Sequence, residues 1–188
     1  MKHNNNKHIY FITGASGVGK TTLVNLLSQQ YTDKGYLFFH FDSIGVPSHE
    51  VMKKEYGSGV AWQKAKTNEW IEKLVKLKAD EKLIIEGQVN LQFIRDSFRQ
   101  YQFKNYCIVL IDCNESTMGQ RLAGERGQPE LFTPDMKKWR EYLRKQAEEF
   151  RVGIIDTSNM TTDEALNKLK AIIMEERASG RDKSKSRH

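Results

Sequence analysis

Residues 14–21 read GASGVGKT and match the pattern G-x-x-x-x-G-K-[ST] in full. The match follows a short apolar run, residues 8–13 (HIYFIT), and precedes an amphipathic segment that begins near Lys20. Glycines let the backbone turn tightly and point its N–H groups inward, and the positive end of the following helix adds to the attraction for an anion. The stretch therefore predicts a phosphate-binding loop between a strand and a helix.

The same motif predicts individual roles. Lys20 is expected to reach the β- and γ-phosphates of a nucleotide, and the Thr21 hydroxyl is expected to be a magnesium ligand. A glycine-rich turn without a ligand is the alternative, but it does not account for the strand before the motif and the helix after it. The predicted nucleotide-binding set is Gly14, Ala15, Ser16, Gly17, Val18, Gly19, Lys20, Thr21 and Thr22.

Outward from the motif, short apolar blocks alternate with longer helical patterns. The blocks predict five strands, at residues 8–13, 36–41, 82–85, 106–112 and 152–156. The helical patterns cover residues 20–33, 60–79, 90–101, 115–125, 133–150 and 162–177. Regular alternation of this kind predicts an α/β fold of three layers, a five-stranded parallel sheet with helices on both faces. In such sheets the ligand site lies at the carboxyl ends of the strands.

Length and charge bound the organisation of the chain. Its 188 residues favour one domain, residues 1–178, followed by a basic tail at 179–188 that we expect to be flexible. The formal charge is +6, of which the tail carries +3 and the first eight residues +2, so the body is nearly neutral. A neutral body argues against nucleic acid as a partner. We expect a monomer or homodimer.

Three features of the sequence bear on where the protein works. It has no apolar run of about 18 residues, so no membrane partner is expected. The first residues lack a secretory pattern, and the two cysteines, Cys107 and Cys113, make a poor disulfide framework. The expected location is cytoplasmic.

Acidic residues follow two of the predicted strands. Asp42 closes the second strand and is expected to project over the phosphate-binding loop, although a strand-end aspartate can also simply cap the next turn. Glu86 ends the third strand and is followed by Gly87 and Gln88. A carboxylate at that strand end suits magnesium held through water.

Taken in order with the loop, these residues, a basic segment at 121–129 and the loop 156–159 (DTSN) resemble the P-loop kinases of small molecules and nucleotides. Shikimate kinase, gluconate kinase, antibiotic phosphotransferases and nucleoside monophosphate kinases belong to this group. The resemblance implies that Asp42 binds or deprotonates the acceptor hydroxyl and that Ser43, Glu86, Gly87 and Gln88 line the acceptor side. Monophosphate kinases usually have an arginine soon after the Asp-Gly element, whereas the next arginine here is Arg95, which argues against a monophosphate acceptor.

The resemblance also implies a short lid at residues 121–135, with Arg121 and Arg126 closing over the nucleotide and Arg121 able to stack on adenine. The alternative for these arginines is a solvated helix end. The loop with Thr157 and Ser158 would pass beside the adenine, and it is also a good helix entry. Between strands two and three, Trp62 and Trp70 fit core packing, with lining of an acceptor pocket as the alternative for Trp62.

The sequence therefore predicts a kinase that transfers the γ-phosphoryl group of ATP, with Mg²⁺, to a hydroxyl of a small molecule. The catalytic residues would be Lys20, Asp42, Arg121 and Arg126, and the metal ligands Thr21 and Glu86. Two alternatives stay open: a kinase of polynucleotide 5′-hydroxyl ends, which the basic tail favours, and an ATP-binding switch that is not a kinase.

Overall fold

The computed structural model describes residues 7–78, 82–124 and 126–182, with side chains as far as residue 174. Five strands are present: β1 (His8–Thr13), β2 (Tyr36–His40), β3 (Lys82–Gly87), β4 (Tyr106–Asp112) and β5 (Gly153–Asp156). The α-helices are α1 (Lys20–Tyr31), α2 (His49–Tyr56), α3 (Gly59–Lys76), α4 (Leu91–Gln100), α5 (Glu115–Ala123), α6 (Pro134–Glu149) and α7 (Thr162–Asp182). Short 3-10 helices lie at Thr32–Lys34, Phe41–Ile44 and Pro129–Leu131.

All four strand pairings are parallel, and the order across the sheet is β2-β3-β1-β4-β5. The predicted five-stranded parallel sheet is thus confirmed. In β1 and β4 the predicted limits agree with the structure, and the other strands differ at their ends by one or two residues. β1 lies at the centre of the sheet, so the loop that follows it opens at the middle of the carboxyl edge.

Side chains along the strands alternate between two hydrophobic cores, as the two-residue period of a strand requires. Along β1, Tyr10 and Ile12 enter one core, while Ile9 and Phe11 enter the other. The first core packs under α1, α5 and α7, and the second packs under α3, α4 and α6. The predicted three-layer arrangement, with helices on both faces, follows from this alternation.

The segment between β2 and β3 differs from its prediction. The second strand ends at His40 rather than at residue 41, and Phe41–Ile44 forms a 3-10 helix. Phe41 turns into the second core, where the Trp70 indole N–H donates to its carbonyl oxygen at 3.1 Å. Ser43 therefore lies in a regular turn, and Asp42 lies two residues beyond the strand rather than closing it.

Helix α2 was missed by the sequence analysis, which predicted no helix between residues 33 and 60. Its end signals are nevertheless present in the sequence. The Ser48 hydroxyl caps the start by accepting from the Val51 amide at 3.4 Å, and Gly57 adopts a left-handed conformation at the end. Helices α2 and α3 contact each other, and α3 packs into the second core through Trp62, Trp70, Ile71 and Leu74.

Other helix ends follow the sequence signals. The Thr133 hydroxyl accepts from the Met136 amide at 3.1 Å, with Pro134 in the first turn. Thr161 and Glu164 form the predicted capping box. Helix α7 extends to Asp182, beyond its predicted end, and the rest of the predicted tail, residues 183–188, lies outside the described residues.

Lys7, one of the two lysines among the first eight residues, is buried rather than exposed to solvent. Its ammonium donates to the carbonyl oxygens of Val75 and Leu77, at 2.7 and 2.6 Å, and its side chain is buried. A cation at a helix C-terminus is favourable because the carbonyls there are otherwise unpaired. Lys7 thus ties the start of β1 to the end of α3.

Two further expectations concern the cysteines and the membrane. Cys113 is a buried free thiol whose pKa is raised by burial to about 11, and the Cys107 thiol donates to the Ile108 carbonyl oxygen at 3.8 Å. Within the described parts of the chain, no helix is both long and apolar enough to cross a bilayer.

Candidate active site

The loop between β1 and α1 has the backbone geometry that its glycines predict. Gly14 has φ +152°, and a Cβ there would lie 2.2 Å from the Ile111 carbonyl oxygen. At Gly17, also at positive φ, a Cβ would lie 2.7 Å from the Leu122 side chain of α5. The loop is therefore closely packed between β4 and α5, and only glycine fits at these two positions.

Lys20 begins α1 and is buried, with 7% of its surface exposed. Its ammonium donates to the Ala15 carbonyl oxygen at 2.8 Å. Burial lowers the pKa of Lys20 to about 8, although Glu86 and Asp42 act to raise it. At neutral pH the ammonium is therefore charged and held inside the loop, against the curve of backbone that binds phosphate in P-loops.

Glu86, near the end of β3, contacts the loop from the neighbouring strand. One carboxylate oxygen accepts from the Thr21 hydroxyl at 3.3 Å, and the other lies 2.8 Å from His40 Nδ1. His40 and Glu86 are register partners in β2 and β3, so their side chains lie on the same face of the sheet, a contact that the sequence analysis did not predict. The Glu86 carboxylate is nearly enclosed, with 9% of its side chain exposed.

The oxygens of Thr21 and Glu86 fit a magnesium site. Mg²⁺ prefers hard oxygen ligands and usually keeps several waters, with one or two protein groups and the substrate phosphates completing the shell. Among the described residues there is no cluster of three or more His, Cys, Asp or Glu side chains that would form an all-protein cage. The oxygens of Thr21 and Glu86 would therefore suit a metal ion that binds together with a nucleotide.

Gln88 connects the loop to the helices on the acceptor side. The Ser16 hydroxyl donates to its side-chain oxygen at 2.9 Å, and the Gln63 amide of α3 donates to its backbone oxygen at 3.1 Å. Gln63 also accepts from the Asn90 amide at 3.1 Å. Phe41 occupies the space beside the Gly87 Cα, since a Cβ at residue 87 would lie 2.4 Å from the Phe41 Cβ.

Asp42 interacts electrostatically with Glu86 and Lys20. It lies in the 3-10 helix and is exposed to solvent. Partial burial raises the pKa of Asp42, and the Glu86 carboxylate raises it further. Lys20 and Arg126 act in the opposite direction without cancelling the effect. A carboxyl group with a raised pKa is a better proton acceptor than an ordinary aspartate. Ser43 is exposed beside it.

Arg121 and Arg126, the two arginines of the predicted lid, differ in exposure and in hydrogen-bond partners. Arg121, in the last turn of α5, donates to the Val18 carbonyl at 3.1 Å and to the Thr157 hydroxyl at 2.8 Å. It thus links the phosphate-binding loop to the loop after β5. Arg126 is exposed, and its Nε donates to the Gln128 side chain at 2.6 Å. The first guanidinium is held by the protein, whereas the second is available to a ligand.

A cavity of about 340 Å³ opens at the loop. Its lining contains residues that the sequence predicted and one that it missed, Asn25, which lies on α1 one turn beyond Thr21. The helical period following the motif was the signal that could have found it. The full lining is Gly17, Gly19, Lys20, Thr21, Thr22, Asn25, Arg121 and Arg126.

Neither Thr157 nor Ser158 lines the cavity. Thr157 is buried, and its hydroxyl donates to the Asp112 carbonyl at 3.0 Å. The Ser158 hydroxyl accepts from the Asn114 amide at 2.7 Å, at the start of α5. Both side chains brace the loops that follow β4 and β5, so a contact with nucleotide would have to come from the backbone of this loop.

An ion-pair network at the ends of β4 and β5 was not predicted from the sequence. Asp112, 1% exposed, accepts from Arg140 at 3.3 Å and from Arg144 at 2.7 Å. Arg144 also reaches Asp156 at 3.1 Å. Burial alone would raise the pKa of Asp156, but its hydrogen bonds with Ser158 and Arg144 hold it below its ordinary value. The network fixes α6, the helix after the predicted lid, to the sheet.

A phosphate-binding loop after the central strand of a parallel sheet, with an acid from the next strand beside its threonine, defines a P-loop nucleoside triphosphatase fold of the kinase-like kind. Residues 11–140 match the family described as "AAA domain", and since this match spans more than half of the chain, the chain belongs to that family. Among curated proteins no sequence matches significantly.

Solved structures give the same fold at low sequence identity. A shikimate kinase from Acinetobacter baumannii in complex with shikimate is 16% identical, with a TM-score of 0.60, covering 90% of this chain and 94% of that chain. A gluconokinase from Sinorhizobium meliloti is 18% identical, with a TM-score of 0.60 and coverage of 96% and 98%. A tunicamycin resistance protein from Deinococcus radiodurans is 17% identical, with a TM-score of 0.62 and coverage of 89% and 95%. The predicted resemblance to P-loop kinases is confirmed at the level of fold, and this fold implies nucleotide binding.

Proposed function

We propose that this protein is an ATP-dependent, magnesium-requiring phosphotransferase that moves the γ-phosphoryl group of ATP to a hydroxyl group of a small molecule. The observation that carries the proposal is the presence of two carboxylates with different surroundings beside Lys20. Glu86 is enclosed and contacts Thr21, as a metal-side acid would. Asp42 is open to solvent and has a raised pKa, as a base for an incoming acceptor would.

On the nucleotide side, the loop amides and Lys20 would bind the β- and γ-phosphates. The Lys20 ammonium now donates to the Ala15 carbonyl, so the phosphate oxygens would replace that single acceptor. Arg126 would add positive charge near the transferring group, because its guanidinium lines the cavity and is exposed. Arg121 would act mainly by holding the loop to Thr157, with one face toward the cavity.

Thr21 and Glu86 would hold the magnesium ion, whose charge offsets that of the phosphate oxygens during transfer. His40 would fix the Glu86 carboxylate through its 2.8 Å contact, so that the other carboxylate oxygen stays directed at Thr21. This arrangement of an acid steadied by a neighbouring imidazole is common around metal ligands.

On the acceptor side, Asp42 would orient the acceptor hydroxyl and take its proton. The acceptor oxygen forms a bond to the γ-phosphorus, the bond from that phosphorus to the bridging oxygen of ADP breaks, and the proton passes to the Asp42 carboxylate. Late proton transfer of this kind suits the loose transition state of phosphoryl transfer. A binding switch that only hydrolyses ATP would have no need of this second carboxylate.

The test is an ADP-formation assay on the purified full chain with Mg²⁺ and ATP, against pooled alcohols, sugars, sugar acids, nucleosides, nucleotides and oligonucleotides with free 5′-hydroxyls. The expected result is that one pool stimulates ADP formation and yields a phosphorylated product by mass spectrometry. Stimulation by the oligonucleotides alone would transfer the proposal to a polynucleotide kinase. Slow ADP formation that no pool stimulates, and that Asp42→Asn leaves unchanged, would contradict phosphotransfer and favour the switch.

A further inference from the structure

A second cavity, of about 300 Å³, lies on the acceptor side of the molecule, between the 3-10 helix after β2 and the helices α2 and α3. Its walls are largely apolar: Ile44, Val46, Pro47, Tyr56 and Trp62. Small-molecule sites are typically concave and apolar, with few polar groups, and this volume lies at the lower end of their range. Trp62 therefore serves both predicted roles, since it is 6% exposed in the core and also lines the cavity.

The cavity adjoins the 3-10 helix that carries Asp42, one of the proposed catalytic residues. Ile44, in its wall, ends the same 3-10 turn that carries Asp42, and the Gly45 amide closes that turn by donating to the Asp42 carbonyl at 2.9 Å. The Trp62 ring lies perpendicular to Phe41, with centroids 6.3 Å apart. Phe41 in turn packs on Gly87, the residue after Glu86. A molecule in the cavity would therefore lie beside the turn that presents Asp42.

Exposed apolar side chains are concentrated around this cavity. Among the described residues, the large hydrophobic side chains classed as exposed include Ile44, Val46, Val51 and Val60, which all fall in the segment between β2 and β3. Single exposed apolar residues are ordinary on a protein surface, but Ile44 and Val46 both line the cavity, and exposed apolar side chains grouped at a cavity mark a binding surface. The segment thus presents apolar surface where a polar acceptor would need hydrogen-bonding groups.

The charges at the cavity do not fit an anionic ligand. The chain has no arginine before Arg95, so the acceptor side lacks the guanidinium groups that bind carboxylate and phosphate most effectively. The cavity lining contains one cation, Lys66, and one anion, Glu55. The Lys66 ammonium is 2.6 Å from the Glu69 carboxylate, so its charge is already paired.

We infer that the acceptor is a hydroxyl compound with an uncharged, largely apolar body of roughly bicyclic aromatic size, and that this cavity holds the body. The inference rests on the proposed phosphotransfer, since it assigns the acceptor's chemical class to that reaction. It distinguishes this chain from kinases whose acceptors are polyhydroxylated acids or phosphate esters.

Binding is tested first, without catalysis, by saturation-transfer NMR on the full chain with three matched probes: naphthylethanol, naphthylacetate and gluconate. Naphthylethanol should bind, naphthylacetate should bind at least about tenfold more weakly because its carboxylate finds no partner, and gluconate should not bind. Val46→Asp, in the cavity wall, should weaken naphthylethanol binding at least about tenfold. Val60→Asp is the matched control, since Val60 is exposed in the first turn of α3 but does not line the cavity.

Both valines are more than half exposed, at 55% and 67%, so neither substitution should disturb folding, which a melting curve checks. Equal loss of binding in the two variants, or tighter binding of naphthylacetate, would overturn the inference. A concentration-dependent dimer that both substitutions disrupt, with no probe bound, would also overturn it and assign the apolar surface to a second copy of the chain.

Phosphotransfer to the same three probes separates this inference from the proposed function. Formation of naphthylethyl phosphate, reduced by Val46→Asp and not by Val60→Asp, supports both. Phosphorylation of gluconate or of other polar acceptors, unaffected by Val46→Asp, keeps the kinase and overturns the apolar acceptor. Binding of naphthylethanol with no transfer to any acceptor contradicts the kinase, and with it the assignment of the cavity to an acceptor.

Discussion

The two halves of the site are built from different parts of the chain. In the phosphate half, residues 14–22, the binding surface is backbone fixed by glycines and packed against β4 and α5. In the proposed acceptor half, residues 41–66, the binding surface consists of side chains on a 3-10 helix and two α-helices, with a turn that is open to solvent. The phosphate half would bind the phosphate groups, which every nucleoside triphosphate shares. The residues of the acceptor half can be substituted without disturbing the sheet.

The contrast indicates how one fold serves many acceptors. The phosphate half tolerates little variation, because its glycines lie against backbone and core atoms. The acceptor half is joined to it by few contacts, chiefly the hydrogen bonds of Gln88 and the packing of Phe41 on Gly87. Specificity can therefore evolve in the acceptor half while phosphate binding is kept.

The largest expected effect is on the free energy of unfolding, and it is tested by substituting one glycine in each half. Gly14→Ala would bring a Cβ against the Ile111 backbone oxygen at a positive φ, so we expect a loss of about 3 kcal/mol or more in the free energy of unfolding, together with loss of ATP binding. Gly57→Ala, between α2 and α3, meets no atom within 4 Å and should cost only the left-handed strain, about 1 kcal/mol. Chemical denaturation measures both, and equal losses would contradict the contrast.

Lys20→Ala should reduce turnover on the order of a hundredfold to a thousandfold, because it removes the buried cation that the transferring phosphate needs. The melting temperature should not fall, since a buried ammonium with a lowered pKa is costly to the folded state. Lys64→Ala, an exposed lysine on α3, is the control and should leave kcat unchanged. Near-normal turnover of the Lys20 variant in the ADP-formation assay would contradict the assignment of the loop.

Asp42→Asn should lower transfer to the acceptor by about a hundredfold, the usual contribution of a general base, while ATP affinity is kept. This result would separate the halves functionally, because the variant loses the acceptor step alone. Asp33→Asn, an exposed carboxylate outside the site, should behave like the wild type. Parallel loss of ATP affinity and transfer, in a variant that still melts like the wild type, would show that Asp42 belongs to the phosphate half instead.

The sequence predicted the sheet and the phosphate half because both depend on local signals. The run of residues 14–21 specifies its own backbone, and the short, continuous apolar runs of β1 and β4 are typical of buried strands. The register between β2 and β3, which brings His40 and Glu86 together, was not predicted from the sequence.

The acceptor half was less accessible from the sequence, because tertiary contacts determine it. The turn at Asp42 depends on Phe41 entering the core under Trp70, and the cavity depends on how α2 and α3 meet. The network of Asp112 with Arg140 and Arg144 joins residues about thirty positions apart, which no local pattern reveals. The position of the Thr157 and Ser158 loop beside a nucleotide stays a prediction, whereas the hydrogen bonds of the two side chains to the loops after β4 and β5 were not predicted.

The smallest expected effect is a pH dependence that belongs to the phosphate half alone. In the ligand-free protein the pKa of Lys20 is about 8, so its ammonium loses a proton as pH rises through that value. Phosphate oxygens favour the charged form, and ATP binding should therefore take up a proton above pH 8 and weaken by up to about tenfold per pH unit. Isothermal titration calorimetry in buffers of different ionisation enthalpy measures both quantities.

Lys20→Ala should remove the proton uptake, whereas Asp42→Asn should keep it, because the Lys20 ammonium that takes up the proton is still present. The stability of the free protein should change in the opposite direction. Between pH 8 and the ordinary lysine pKa of 10.5, the folded state binds fewer protons than the unfolded state, so the free energy of unfolding rises with pH. ATP affinity that stays constant to pH 10 would mean that Lys20 remains charged in the free loop, and the phosphate half would then be preorganised for its ligand without the cost of burial inferred here.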